Sequence, residues 1–169
     1  MTILETERLT LRRLCEADAT FILKLLNEPS FLQYIGDKGV RTLDDARSYI
    51  LAGPMEMYAR LGFGLYLVQA KADGRSMGIC GLIKRDTLPG VDIGFAFLPE
   101  FWGKGYAYEA AAAALNYGRD TLGFKRIVAI TSPDNAASGR LLEKLGLRFE
   151  RMIRLSEGAA EIRLFGSDG

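Results

Sequence analysis

Histidine is absent from this chain, and cysteine occurs only at Cys15 and Cys80. The first absence removes Ser-His-Asp and Cys-His triads, imidazole general bases and the usual zinc sites. The second leaves too few thiols for a disulfide framework and no metal-binding spacing. Cys80 lies in the apolar run "MGICGLI", where it reads as a small core residue rather than a nucleophile. A charge excess is missing too. The 22 Lys and Arg against 21 Asp and Glu leave a formal charge of +1, so bulk charge gives nucleic acid no footing. No apolar run approaches the ~18 residues that span a bilayer. The opening "MTILETERLT" carries charges where a signal peptide has its apolar stretch. A soluble, cytoplasmic chain without membrane partners is expected, and its chemistry has to run on carboxylates, hydroxyls and backbone dipoles.

What is present is an ordinary globular composition, 49% hydrophobic and 25% charged, without linker, repeat or low-complexity tract. Residues 1–169 are therefore expected to form a single domain. "RLTLRRL" alternates like a first strand, with Leu9 and Leu11 on one face. Asp18 is expected to cap a helix carrying Phe21, Ile22, Leu25 and Leu26 at helical spacing, which Pro29 ends. Asp44 and Asp45 open a second helix to about residue 59, with Pro54 breaking or kinking it. "GFGLYLVQA" and "SMGICGLIKR" read as strands joined through Asp73-Gly74, and "VDIGFAFL" continues the antiparallel meander. "KRIVAITS" is a nearly continuous apolar strand suited to a doubly covered position, and a helix over "NAASGRLLEKLG" follows. "LRFERMIRL" and "AEIRLF" close the chain as a strand pair. The class is α+β, with one strand–helix–strand unit of Val91–Leu98, a helix from about Ala107 to Thr121, and Lys125–Ser132.

The segment "LPEFWGKGYAYEAAAAALNYG" places two glycines between a strand end and a helix start. First-turn N–H groups are unpaired there and the macrodipole adds positive potential. Glycines let a bulky anion approach the backbone. The combination reads as a phosphate cradle. A Walker loop is absent, and a dinucleotide fingerprint lacks its third glycine at Tyr108.

This segment resembles the GNAT superfamily of N-acetyltransferases, in particular its ribosomal-protein-alanine N-acetyltransferase-like (RimJ/RimL-type) branch. The residues that carry the likeness are Trp102, Gly103, Lys104, Gly105, Tyr106 and Ala107, with Trp102 where the wider family has Gln or Arg. "TERLTLRRLCEADA" and "NAASGRLLEKLGLRFE" are similar to the branch's opening and closing segments, in the same order, with Leu147 in a phenylalanine position. The resemblance implies a GNAT fold: a mixed, mostly antiparallel sheet with a splayed parallel strand pair and flanking helices. It implies acetyl-CoA as acetyl donor, no metal, and direct attack by an amine in a ternary complex.

By the same resemblance the pyrophosphate rests on the N–H groups of Gly103 to Ala107, and the pantetheine arm pairs with Phe97 and Leu98. Asn135 contacts the cofactor. Lys104 either adds charge near phosphate or is simply solvated. Leu142 stands where many relatives have a tyrosine acid, so Ser138 is the candidate acid, or else only a cofactor contact. Asp92 is the candidate base, with Glu100 and Glu109 as fallbacks and a structural ion pair as the alternative for each. Phe31, Tyr34, Met57, Tyr58 and Tyr66 line an acceptor pocket or pack the core, and Gly36–Gly39 forms a lip over it. Deprotonating a lysine-like amine at pH 7 costs roughly 4.6 kcal/mol against about 1 for an α-amine. A site without a strong base therefore tilts towards a protein N-terminus, with a polyamine or antibiotic as the small-molecule alternative. A non-catalytic acyl-CoA-binding module is the rival class. Monomer and homodimer both stay open.

Overall fold

The computed structural model describes residues 2–167. Its strands are β1 Thr2–Glu5, β2 Leu9–Arg13, β3 Leu65–Ala70, β4 Ser76–Lys84, β5 Val91–Phe97, β6 Ile127–Thr131, β7 Arg148–Ile153 and β8 Ile162–Gly166. They form one eight-stranded sheet in the order β1-β2-β3-β4-β5-β6-β8-β7. Every neighbouring pair is antiparallel except β5 with β6. The α+β class and the single parallel pair thus match the expectation. Leu9 and Leu11 are fully buried opposite Ala70 and Val68, as the alternation of "RLTLRRL" predicts.

The helices are α1 Ala19–Leu26, α2 Pro29–Tyr34, α3 Leu43–Ile50, α4 Glu56–Leu61, α5 Tyr106–Asp120 and α6 Ala136–Lys144. Three local expectations need correction. Asp18 precedes α1 but makes no capping bond to it; its carboxylate accepts from the Cys15 N–H at 2.9 Å and pairs with Arg12 at 2.8 Å. Pro29 does not merely end α1. It opens α2 as a first-turn proline, where its missing N–H is harmless. The edge strand β1 lies ahead of the expected first strand. Pro54 falls in a π-helical turn, Leu51–Met55, that joins α3 to α4; the wider turn is how the chain absorbs the lost N–H.

Helix α5 holds the sheet to the site. Its buried residues, Ala110, Ala111, Ala114, Leu115 and Gly118, recur on one face and are nearly all small. Small residues let the helix axis lie close over β4 and β5, so its N-terminus lands beside the end of β5. At Gly118 a Cβ would stand 2.6 Å from the Leu82 Cδ1 and 3.1 Å from the Ile127 Cδ1. No helix among the described residues is long and apolar enough to cross a membrane.

Gly118→Ala is a test of this packing. Alanine has the better helix propensity by about 1 kcal/mol, yet overpacking costs about 1–3 kcal/mol. The expected outcome is a net loss, read as a fall of about 2–4 °C in the midpoint of thermal unfolding per kcal/mol. A raised midpoint would show that α5 can move away from the sheet freely.

Candidate active site

Strands β5 and β6 are paired only at Val91–Ile127 and Asp92–Val128. Beyond Asp92 they part, while β5 keeps a seven-pair ladder to β4 and β6 keeps its ladder to β8. The Leu98 N–H bonds to the Met77 carbonyl at 3.0 Å. By ladder alternation, the N–H and C=O groups of Phe95 and Phe97 then point the other way, into the opening. The indole Nε1 of Trp102 donates to the Phe97 carbonyl at 3.0 Å, leaving the Phe97 N–H and both backbone groups of Phe95 without a strand partner. Leu98 differs from Phe97 in its backbone bonds. Its N–H is spent on Met77 and its carbonyl accepts from the Phe101 N–H at 3.0 Å, so the free edge belongs to Phe95 and Phe97. Phe95 was not legible beforehand, because which residues point outward depends on register.

The chain then turns through Trp102, Gly103, Lys104 and Gly105 into α5. Gly103 and Gly105 have φ of 75° and 82°, the left-handed region where a Cβ is strained. A Cβ on Gly103 would meet nothing within 4 Å, so its backbone conformation, not protein packing, calls for glycine. Gly105 is the N-cap of α5 and offers no side-chain acceptor. The first helical bond runs from the Glu109 N–H to the Gly105 carbonyl at 3.0 Å. The N–H groups of Tyr106, Ala107 and Tyr108 precede it without a helical acceptor. These donors, with side-chain-poor backbone before them, fit a diphosphate. Lys104 is exposed, its ammonium donating to the Glu100 carbonyl at 3.3 Å.

A strut from the first hairpin braces the turn. The Arg8 guanidinium donates to the Lys104 carbonyl at 3.0 Å and to Glu109 at 2.7 Å, and lies 4.4 Å from the Tyr106 ring centre. The Thr6 hydroxyl and the Arg8 N–H donate to the other Glu109 oxygen at 2.5 and 2.9 Å. Burial pushes the Glu109 carboxyl up, but these donors outweigh it and hold it below the usual carboxylate range. Glu109 is thus an anchor of α5. No local sequence signal marks Thr6 or Arg8, whose partners lie about a hundred residues away.

Across the opening, the Asn135 side chain caps α6 by accepting from the Ser138 N–H at 3.2 Å. Ser138 is half-buried in the first turn, and Leu142 is 1% exposed in the core. Asp92, 1% exposed, stands where the strands part, with the Arg85 guanidinium 3.3 Å away. Burial pushes its carboxyl up to about 6, with Arg85 pulling it back down. Glu100 lies exposed in a 3-10 turn after β5. By topology, Asp92 stands where β5 and β6 part, Phe97 and the glycine turn follow along β5, and Asn135 and Ser138 follow the end of β6. Phe31 and Tyr66 pack in the core at 5% and 2% exposure, and Tyr58, 5% exposed, also lines a cleft. A cleft of about 340 Å³ beside Tyr58, lined by Arg12, Arg13, Cys15 and Met55, lies three strand spacings away from Phe95 along the row Arg13-Tyr66-Cys80-Phe95. Among the described residues no cluster of three metal-ligating side chains occurs.

The strut carries a pH signature. Glu109→Gln removes a contribution that is full above the ordinary value of 4.5 and is lost as pH falls through the lowered value. Because Arg8 is 42% exposed, the effect is modest. The variant's unfolding midpoint should lie about 2–4 °C below wild type at pH 7, the gap closing towards pH 3. A gap that is constant with pH contradicts the ion-pair assignment.

Comparison with known proteins identifies the family and the fold. The model of the Acetyltransferase (GNAT) domain matches residues 8–148. YkkB of Bacillus subtilis is 31% identical over 156 residues, covering 90% of this chain and 89% of that protein. The uncharacterized N-acetyltransferase YoaA of the same organism is 30% identical over 154 residues, covering 90% and 86%. Among solved structures, RimL, a ribosomal L7/L12 α-N-protein acetyltransferase in complex with coenzyme A, superposes with a TM-score of 0.84 at 17% identity, covering 99% of this chain and 98% of that one.

Proposed function

The chain belongs to the GNAT acetyltransferases, and on that premise we propose that it moves an acetyl group from acetyl-CoA to a protein N-terminal α-amine by direct attack in a ternary complex. The observation that carries the reading is the free edge of β5 at Phe95 and Phe97 running straight into the uncapped start of α5. A pantetheine amide has the donors and acceptor to pair with that edge as a strand would. The N–H groups of Gly103 to Ala107 receive the diphosphate, and Trp102 closes the end of the edge. Asn135 and Ser138 hold the far side. We read residues 1–169 as one such domain, acting in the cytoplasm.

Acetyl-CoA supplies an activated acyl carbon and a thiolate leaving group. Asp92 takes one proton from the acceptor ammonium, the amine nitrogen bonds to the acyl carbon as the C–S bond breaks, and the proton that then leaves the nitrogen reaches the departing sulfur through the Ser138 hydroxyl, which gives one proton and receives the other. Magnitudes favour an α-amine. A carboxylate with a value near 6 takes a proton from an ammonium of about 7.8 at a cost of about 2 kcal/mol, against about 6 kcal/mol for a lysine-like ammonium of about 10.4. RimL's own substrate class points the same way by analogy of fold. The rival, an acyl-CoA-binding module without turnover, draws on Leu142, a core residue in the tyrosine position.

Two measurements test this. Free-thiol release from acetyl-CoA should be at least about tenfold faster, in kcat/KM, with a short peptide bearing a free N-terminus than with spermidine or an aminoglycoside. The opposite order transfers the proposal to small amines, and binding without release across all three supports the module. Asp92→Asn should lower kcat/KM by about 10²–10⁴ and remove the acidic limb expected in wild type from a carboxyl pushed up to about 6. A variant that retains both the rate and the limb excludes Asp92 as the base.

A further inference from the structure

We propose that Arg163, on β8, is the positioning residue for the far side of the opening, a role that rests on the cofactor reading above. Its guanidinium spans the β6–α6 connection: Nε donates to the Thr131 hydroxyl at 3.0 Å and Nη2 to the Asn135 carbonyl at 2.8 Å. Thr131 is the last residue of β6 and Asn135 the cap of α6, so one planar group fixes where the strand ends and the helix begins. Between them the Asn135 N–H bonds to the Ser132 carbonyl at 3.1 Å, and the Ser132 hydroxyl to Asp134 at 2.9 Å, closing a short turn.

The surroundings are shaped for this guanidinium. Its carbon lies 5.3 Å from the Phe165 ring centre. On the helix side is Gly139, a glycine inside α6, where such a residue ordinarily weakens a helix by about 1 kcal/mol. A Cβ there would stand 2.9 and 3.1 Å from the Arg163 Nη2 and Nη1. The glycine therefore makes room for the arginine. No carboxylate among the described residues forms an ion pair with Arg163, so its acceptors are neutral and directional. The planar fork matters here, because a lysine ammonium cannot reproduce both bonds in the same geometry.

Arg163 lies opposite Thr131 across the β6–β8 ladder, which is the side of β6 away from β5. It acts through Asn135, whose side chain in turn holds the Ser138 N–H. Loosening it moves the Asn135 and Ser138 edge while leaving the β5 edge and the glycine turn intact. The consequence belongs to the acetyl donor and not to the acceptor.

The test is a kinetic split with a double-mutant cycle. Arg163→Met should raise the KM for acetyl-CoA about tenfold, with a parallel loss in titrated affinity, and change the peptide KM less than twofold. Arg163→Lys should recover part of that loss. Gly139→Ala should reproduce the effect in wild type by pushing the guanidinium aside, and add less than about 1.5-fold in the Arg163→Met background. Unchanged acetyl-CoA affinity in a folded Arg163→Met protein overturns the proposal. So does an equal rise in both KM values, or strict additivity of the two substitutions. Wild type that fails to bind acetyl-CoA overturns the cofactor reading itself and this role with it.

Discussion

The parallel pairing of β5 and β6 stops after two residue pairs, and the rest of the site depends on where it stops. Each strand is already satisfied on its other side, β5 by β4 and β6 by β8, so parting them leaves only one row of backbone groups unpaired on each. An unpaired N–H costs about 1–3 kcal/mol when it is fully buried. Gly94, Phe95 and Ala96 are half-buried, so water or a ligand can reach this edge. The sheet thereby makes a polar slot in the middle of its apolar core without breaking any element. Because α5 must begin at the end of β5 and lie close over β4, its N-terminal donors fall at the mouth of that slot.

Once the slot is placed, the three carboxylates near it sort by environment. Glu109 is consumed by Thr6 and Arg8 and braces the turn. Glu100 is exposed on the outer side of the turn. Asp92 alone is buried where the strands part, with the Arg85 guanidinium beside it and its value near 6. Separation of ionisation behaviour by surroundings is how acid and base roles are divided when no imidazole is available. Tyr66, pushed up to about 12 chiefly by burial, stays neutral and belongs to the core stack with Tyr58.

Much of this was legible in the chain because it is local. Period-two alternation gave β2, the Asp73-Gly74 turn gave the β3–β4 hairpin, "VDIGFAFL" continued the meander as β5, and the two glycines before Tyr106 marked the tight turn into α5. The missed parts depend on distance or register. β1 is four residues on a sheet edge, too short for alternation to speak. Pro29 carries two meanings, end of one helix and first turn of the next, and only the packing of Phe31 selects the second. Leu98 and Phe95 exchange roles according to which N–H faces β4, a fact that needs the ladder. Arg8 and Arg163 are single arginines among many, and their partners lie far off in sequence.

The proposed function requires the glycine turn and the free β5 edge to form one acetyl-CoA site. Isothermal titration of acetyl-CoA into wild type and into Gly105→Glu tests it most directly, with circular dichroism as the check on folding. Wild type is expected to bind saturably and the folded variant to lose binding, because the added carboxylate both fills the approach and repels the diphosphate. Equal binding by the two proteins would place the cofactor elsewhere and contradict the claim.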